Sequence, residues 1–138
     1  MGTADHLLTL VDRIFPPRRV HAHCDLPCGI YDPAQARIEA ESVKAIMEKA
    51  NASDDEYFKV RAAFIKEERA DLVKHHLWVL WTDYFKPEHL EKHPELNDLF
   101  WRTTKTAGEA KKTNDVAVGE RLLNQIADID KIFWDTKK

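Results

Sequence analysis

A chain of 138 residues, 43% of them hydrophobic, is long enough for one compact domain with its own core and too short to favour two. A formal charge of −3, with charged side chains of both signs spread through 33% of the sequence, offers no basic field for nucleic acid and no polybasic patch for a membrane surface. No run approaches the roughly 18 apolar residues of a membrane span.

The first apolar stretch, LLTLVDRIF at 7–15, is interrupted by Asp12 and followed by Pro16-Pro17-Arg18-Arg19, which end a short amphipathic helix. A secretory signal wants an uninterrupted apolar segment after basic residues, so this leader is a poor one and the protein reads as cytoplasmic. Pro27, Gly29 and Pro33 keep residues 20–33 irregular. Asp32 before Pro33 predicts an N-cap with proline at the first helical position, opening a helix through AQARIEAESVKAIMEKA. The run Asn51-Ala52-Ser53-Asp54-Asp55 ends that helix and caps a second, which continues to about Phe85. Lys86-Pro87 and His93-Pro94 bracket a short connection. A third helix covers roughly 95–111, and Thr113-Asn114-Asp115 leads into a fourth ending near Trp134. The expected fold is all-α, an up-down-up-down antiparallel four-helix bundle over 33–138 behind an irregular N-terminal segment.

Polar residues stand where the helical period asks for apolar ones. In the first helix Ala36, Glu39, Val43, Ile46 and Ala50 form one possible core stripe; Ala36, Ala40, Val43 and Met47 form the other and leave Glu39 in water. In the second helix Phe58, Ala62, Ile65, Arg69, Leu72, His76 and Val79 share a stripe. A buried charge needs a partner, and Glu39 and Arg69 suit each other. His76 reads as a hydrogen-bonded core or interface histidine.

Both cysteines lie in HAHCDLPCGIYDP, residues 21–33. In a reducing compartment neighbouring cysteines are more often a metal or redox site than a disulfide. A structural zinc site wants four side-chain ligands, and His23, Cys24 and Cys28 give three. A thioredoxin-like dithiol wants C-x-x-C at a helix start in an α/β fold, not C-x-x-x-C in a loop of a helical chain. Another donor set arises if the Ala22–His23 bond is cut. The α-amine of His23, the deprotonated amide nitrogen of Cys24 and its thiolate then form two fused five-membered chelate rings, and the Cys28 thiolate completes an N2S2 plane. Such a plane suits Ni(II), with the His23 imidazole near enough for an axial position. The competing reading is an N-terminal arm with two incidental thiols, which the spacing alone does not remove.

HCDLPCGIYDPAQARIEAESV resembles the mature N-terminus of the nickel superoxide dismutase family, and the resemblance extends through IKEERADLVKHH, WVLWTDYFKPEHLEKHPEL and IADIDKIFW. It implies a leader, residues 1–22, removed by a maturation protease, and a mature domain of residues 23–138 with its hook at 23–31. It implies a homohexamer that disproportionates superoxide to dioxygen and hydrogen peroxide, with one nickel ion per subunit cycling between Ni(II) and Ni(III). His23, Cys24 and Cys28 are then the metal ligands, and Asp25 and Tyr31 line the open face of the metal. Glu39 and Arg69 hold the His23 ring, which implies that both are buried, and Leu26-Pro27 corresponds to a cis peptide. Arg69 and Lys86 are candidates for a positive focus that draws in the anionic substrate. The alternative in another class is a non-catalytic nickel or copper protein that stores or delivers metal through the same hook.

Overall fold

The computed structural model describes residues 28–138, and their regular structure is entirely helical. Five α-helices follow in order: α1 Ala34–Asn51, α2 Glu56–Val79, α3 Pro87–Lys92, α4 Leu96–Ala110 and α5 Val116–Thr136. Helix α2 runs without a break into a π-helical turn, Leu80–Tyr84. The four long helices pack in sequence order around a ring, α1 against α2, α2 against α4, α4 against α5, and α5 back against α1. This is the expected four-helix bundle, with the short α3 inside the expected connection.

Helix boundaries follow the punctuation. The Asp32 carboxylate accepts the Ala34 amide at 2.9 Å, while Pro33 already has helical dihedrals, φ −60 and ψ −15. The Asp55 carboxylate accepts the Tyr57 and Phe58 amides, and Asp115 accepts that of Ala117. Each cap satisfies backbone donors that a helix start leaves without partners. The far end of the long helix is set by Pro87, whose ring forces Lys86 out of the helical region to φ −124 and ψ 165. In the π turn the Phe85 amide reaches the Leu80 carbonyl at 2.9 Å, five residues back.

The core has a large and a small part. The large part joins Leu77, Leu80, Phe85, Leu96, Phe100, Leu122, Ile126, Ile129 and Phe133, and Tyr31 packs on it. The small part joins Val43, Met47, Ala70, Ala110 and Val118. In α1 the structure takes the second of the two stripes that the period allows, and in α2 the buried stripe lies one step around the helix from the expected one. In α1 the buried residues are Ala36, Ala40, Val43, Met47 and Ala50, and in α2 they are Ala62, Lys66, Ala70, Val73 and Leu77. Phe58 and Ile65 are exposed. Alanines at 36, 40, 62 and 70 let the two backbones approach, so the small residues define the seam and the bulky ones turn outward. Glu39 and Arg69 flank this seam, with side chains 17% and 32% exposed, neither in the core nor fully solvated.

Lys66 is the exception within the seam, only 3% exposed. Its ammonium donates to the Thr113 carbonyl and, at 2.8 Å, to Asn114 Oδ1, while Asn51 Nδ2 donates to the Asn114 carbonyl at 2.8 Å. The turn between α4 and α5 is thus held from both α1 and α2. Burial pushes the Lys66 pKa below its ordinary 10.5, opposed by the neighbouring Glu67 carboxylate. Lys66→Met keeps the stem and strands the two acceptors, so thermal or denaturant unfolding should show a loss of about 1–3 kcal/mol. Because the folded protein releases this proton first, its stability relative to Lys66→Met should rise with pH below 10.5 and level off above it.

Candidate metal centre

Of the expected ligands, His23 and Cys24 lie outside the described residues, as do Asp25 and the Leu26–Pro27 bond. Cys28 lies within them. Its thiol is free and exposed, and its Sγ accepts the Ile30 amide at 3.5 Å. The thiol also donates to the Ile30 carbonyl at 3.9 Å. Gly29 turns the chain with φ +73, a conformation that costs glycine little and leads directly into Tyr31.

Tyr31 is half-buried against the end of the bundle. Its ring lies 5.7 Å from that of Tyr84 at an interplanar angle of 54°. Because Glu39 of α1 pairs with Arg69 of α2, the residues of α2 beyond Val73 continue past the start of α1. Tyr31 meets this overhang at its last turn. Tyr84 is fixed on several sides: it is 4.4 Å from Phe133, stacks on His89 at 5.6 Å and 18°, and has the Lys137 ammonium 5.0 Å from its ring centroid. Its hydroxyl lies 2.6 Å from Thr136 Oγ1, which donates its own hydrogen to the Phe133 carbonyl. The Tyr84 hydroxyl is therefore the donor in that pair.

Between these groups opens a cleft of about 360 Å³, lined by Gly29 and Tyr31 from the N-terminal segment and by Asp83, Tyr84, Lys86, His89 and Lys137 from the bundle. Two lysines against one aspartate leave its walls net positive, which suits a small anion. The structure thus brings Tyr31 and Lys86 to one cleft that begins one residue from Cys28. Tyr84, His89 and Lys137 belong to it without having been singled out in the sequence. The signal was present in WTDYFKPEH, where aromatic and basic residues crowd the proline that ends α2.

Glu39 and Arg69 form the expected pair. Arg69 Nη1 is 3.2 Å from Glu39 Oε2 and 3.4 Å from Oε1, and Nη2 is 3.0 Å from Glu68 Oε1. Arg69 thus bridges carboxylates from two helices, which fixes the Glu39 side chain in orientation. No group of three or more metal-binding side chains occurs among the described residues. Of the three expected ligands Cys28 alone is described, and a free thiol is a donor that fits a thiophilic metal.

Comparison with known proteins agrees with this arrangement. Residues 18–137 match the family described as nickel-containing superoxide dismutase. A superoxide dismutase [Ni] of Streptomyces seoulensis is 60% identical over 130 residues, 94% of this chain and 99% of the relative. One of Streptomyces coelicolor is 59% identical over the same shares. Among solved structures, a native nickel superoxide dismutase superposes with a TM-score of 0.82 at 62% identity, covering 84% of this chain and all of that one. An apo form superposes at 0.78 with 60% identity, covering 79% and 98%. By its sequence, its helical bundle and its N-terminal cysteine segment, the chain belongs to the nickel-containing superoxide dismutase family.

Proposed function

We propose that the chain disproportionates superoxide at a nickel ion held by His23, Cys24 and Cys28, after cleavage between Ala22 and His23. The observation that carries this reading is the positive cleft joining Tyr31 and Lys86 beside the free Cys28 thiol. The solved relative that matches over its whole length covers 84% of this chain, the share that residues 23–138 make up. That agreement in length supports a mature form beginning at His23.

In this reading the His23 α-amine and ring, the Cys24 amide nitrogen and the thiolates of Cys24 and Cys28 would hold the nickel ion. Nickel bound there supplies a one-electron couple between Ni(II) and Ni(III), which the anionic amide and thiolate donors bring into the range of superoxide. The chain does the rest. Lys86 and Lys137 give the cleft its charge, and Asp25 and Tyr31 border the approach. The Tyr84 proton is committed to Thr136, so Tyr84 holds Tyr31 in place at the cleft wall. Glu39, fixed by Arg69, aims the His23 ring. Confinement of access protects two thiolates that would otherwise be oxidised by the peroxide they help to form.

The same reading includes a homohexamer in the cytoplasm. Its support is the outward face of α2, where Tyr57, Val60 and Phe64 are 85%, 55% and 75% exposed, an apolar surface of the kind that subunit contacts cover. No helix among the described residues is long and apolar enough to cross a membrane.

The direct test compares nickel-loaded full-length chain with chain cleaved before His23. Cleaved protein should destroy superoxide rapidly in pulse radiolysis and show a thiolate-to-nickel charge-transfer band, and the full-length chain should do neither. Equal turnover by the two forms would contradict the amine ligand. Cys28→Ser replaces a soft donor with a hydroxyl that stays protonated near neutral pH, and should abolish both the band and the activity. Glu39→Gln should keep nickel content and lower turnover by about 10- to 100-fold, as loss of a group that orients a ligand does; unchanged turnover would remove Glu39 from the site.

A further inference from the structure

His89 touches two of the other cleft residues that the bundle contributes, Lys86 and Tyr84, each by a different chemical means. Pro87 forces Lys86 into an extended conformation at the start of α3, where its amide has no helical acceptor. That amide donates to His89 Nδ1 at 3.1 Å, and the His89 amide returns a bond to the Lys86 carbonyl at 2.9 Å. The imidazole thus does what a glutamate usually does three residues into a helix, closing a reciprocal pair around the cap. A nitrogen that accepts carries no proton, so the neutral ring bears its hydrogen on Nε2 and its orientation is set.

The same ring lies flat on Tyr84, 5.6 Å between centroids at 18°, and meets Phe85 edge-on at 5.8 Å and 89°. Tyr84 is therefore held between His89 on one side and Phe133 and Lys137 on others, and Tyr31 rests against Tyr84. We infer that His89 is a positioning residue of the dismutase cleft: its Nδ1 fixes where Lys86 leaves the backbone, and its ring face fixes Tyr84 and through it Tyr31. The inference rests on the reading that this cleft serves the metal site. The two contacts use different atoms, so they are separable by substitution. Asparagine places its Oδ1 where Nδ1 stood and has no ring; phenylalanine keeps the ring and has no acceptor.

The test uses nickel-loaded, cleaved protein carrying His89→Phe or His89→Asn. Superoxide decay by pulse radiolysis as a function of ionic strength reports the placement of Lys86. The chain has three tyrosines, so labelling with 3-fluorotyrosine gives three fluorine resonances, and Tyr84→Phe assigns the one that matters. His89→Phe should lower the rate at low ionic strength by on the order of threefold and flatten its salt dependence, with the Tyr84 resonance nearly unmoved. His89→Asn should keep the salt dependence and shift the Tyr84 resonance. Both variants retaining wild-type salt dependence and resonance positions, or both losing the two together, would overturn the assignment. Lys86→Ala and Tyr31→Phe serve as controls on the site itself. If both turn over superoxide like the wild type, the cleft is not the route to the metal. The Tyr84 resonance in His89→Asn then still decides whether His89 holds that ring.

Discussion

The contact between Tyr31 and Tyr84 ties the segment that carries the cysteines to the body of the protein. Tyr31 is three residues from the start of the first helix and three from Cys28, and its ring packs at 5.7 Å on the last turn of the long helix formed by α2 and its π extension. Tyr84 can serve as the anchor because it is itself over-determined: Phe133, His89, Lys137 and Thr136 approach it from separate elements. Aromatic pairs of this kind add about 0.5–1.5 kcal/mol each beyond the area they bury, and several together leave the ring with little freedom. The segment from Cys28 to Tyr31 is thereby held at a defined place on the helical scaffold.

The scaffold also divides its work along its length. At one end, where the large core gathers Leu77, Phe85, Phe100 and Phe133, large side chains fill the space between four helices and support the cleft. Toward the other, Val43, Met47, Ala70, Ala110 and Val118 form the smaller cluster, and the polar clamp of Lys66 holds the α4–α5 turn. Between these regions the Glu39–Arg69 pair occupies the edge of the seam. A carboxylate held by two contacts to one guanidinium nitrogen keeps its direction, and partial exposure spares it the cost of complete burial.

The helices were legible because their signals are local. Asp32, Asp55 and Asp115 cap three of them, and Pro87 stops the longest, as their positions in the sequence indicate. The chelate proposed for His23, Cys24 and Cys28 draws on equally local spacing, since fused rings require adjacent residues, and His23 and Cys24 lie outside the described residues. What the sequence left undecided depends on distant partners. In alanine-rich helices two neighbouring stripes satisfy the same period, and only packing chooses between Glu39 and Ala40. Lys66 entered the core because a carbonyl and an amide oxygen 47 and 48 residues later were waiting for it. The π turn has no composition of its own, and Tyr84 gains its place from Tyr31, 53 positions earlier in the sequence, and from Phe133 and Thr136 in the last helix.

The central claim is that nickel sits within residues 23–28 with the ring of His23 as its axial donor. Electron paramagnetic resonance of the cleaved, nickel-loaded protein in its oxidised form, grown with histidine labelled by nitrogen-15 in the ring alone, tests it most directly. An axial ring nitrogen splits the signal into three lines with the natural isotope and into two with the label, and His23→Gln should abolish the splitting while nickel remains bound. A splitting that the label leaves unchanged, or one that survives His23→Gln, would contradict the account.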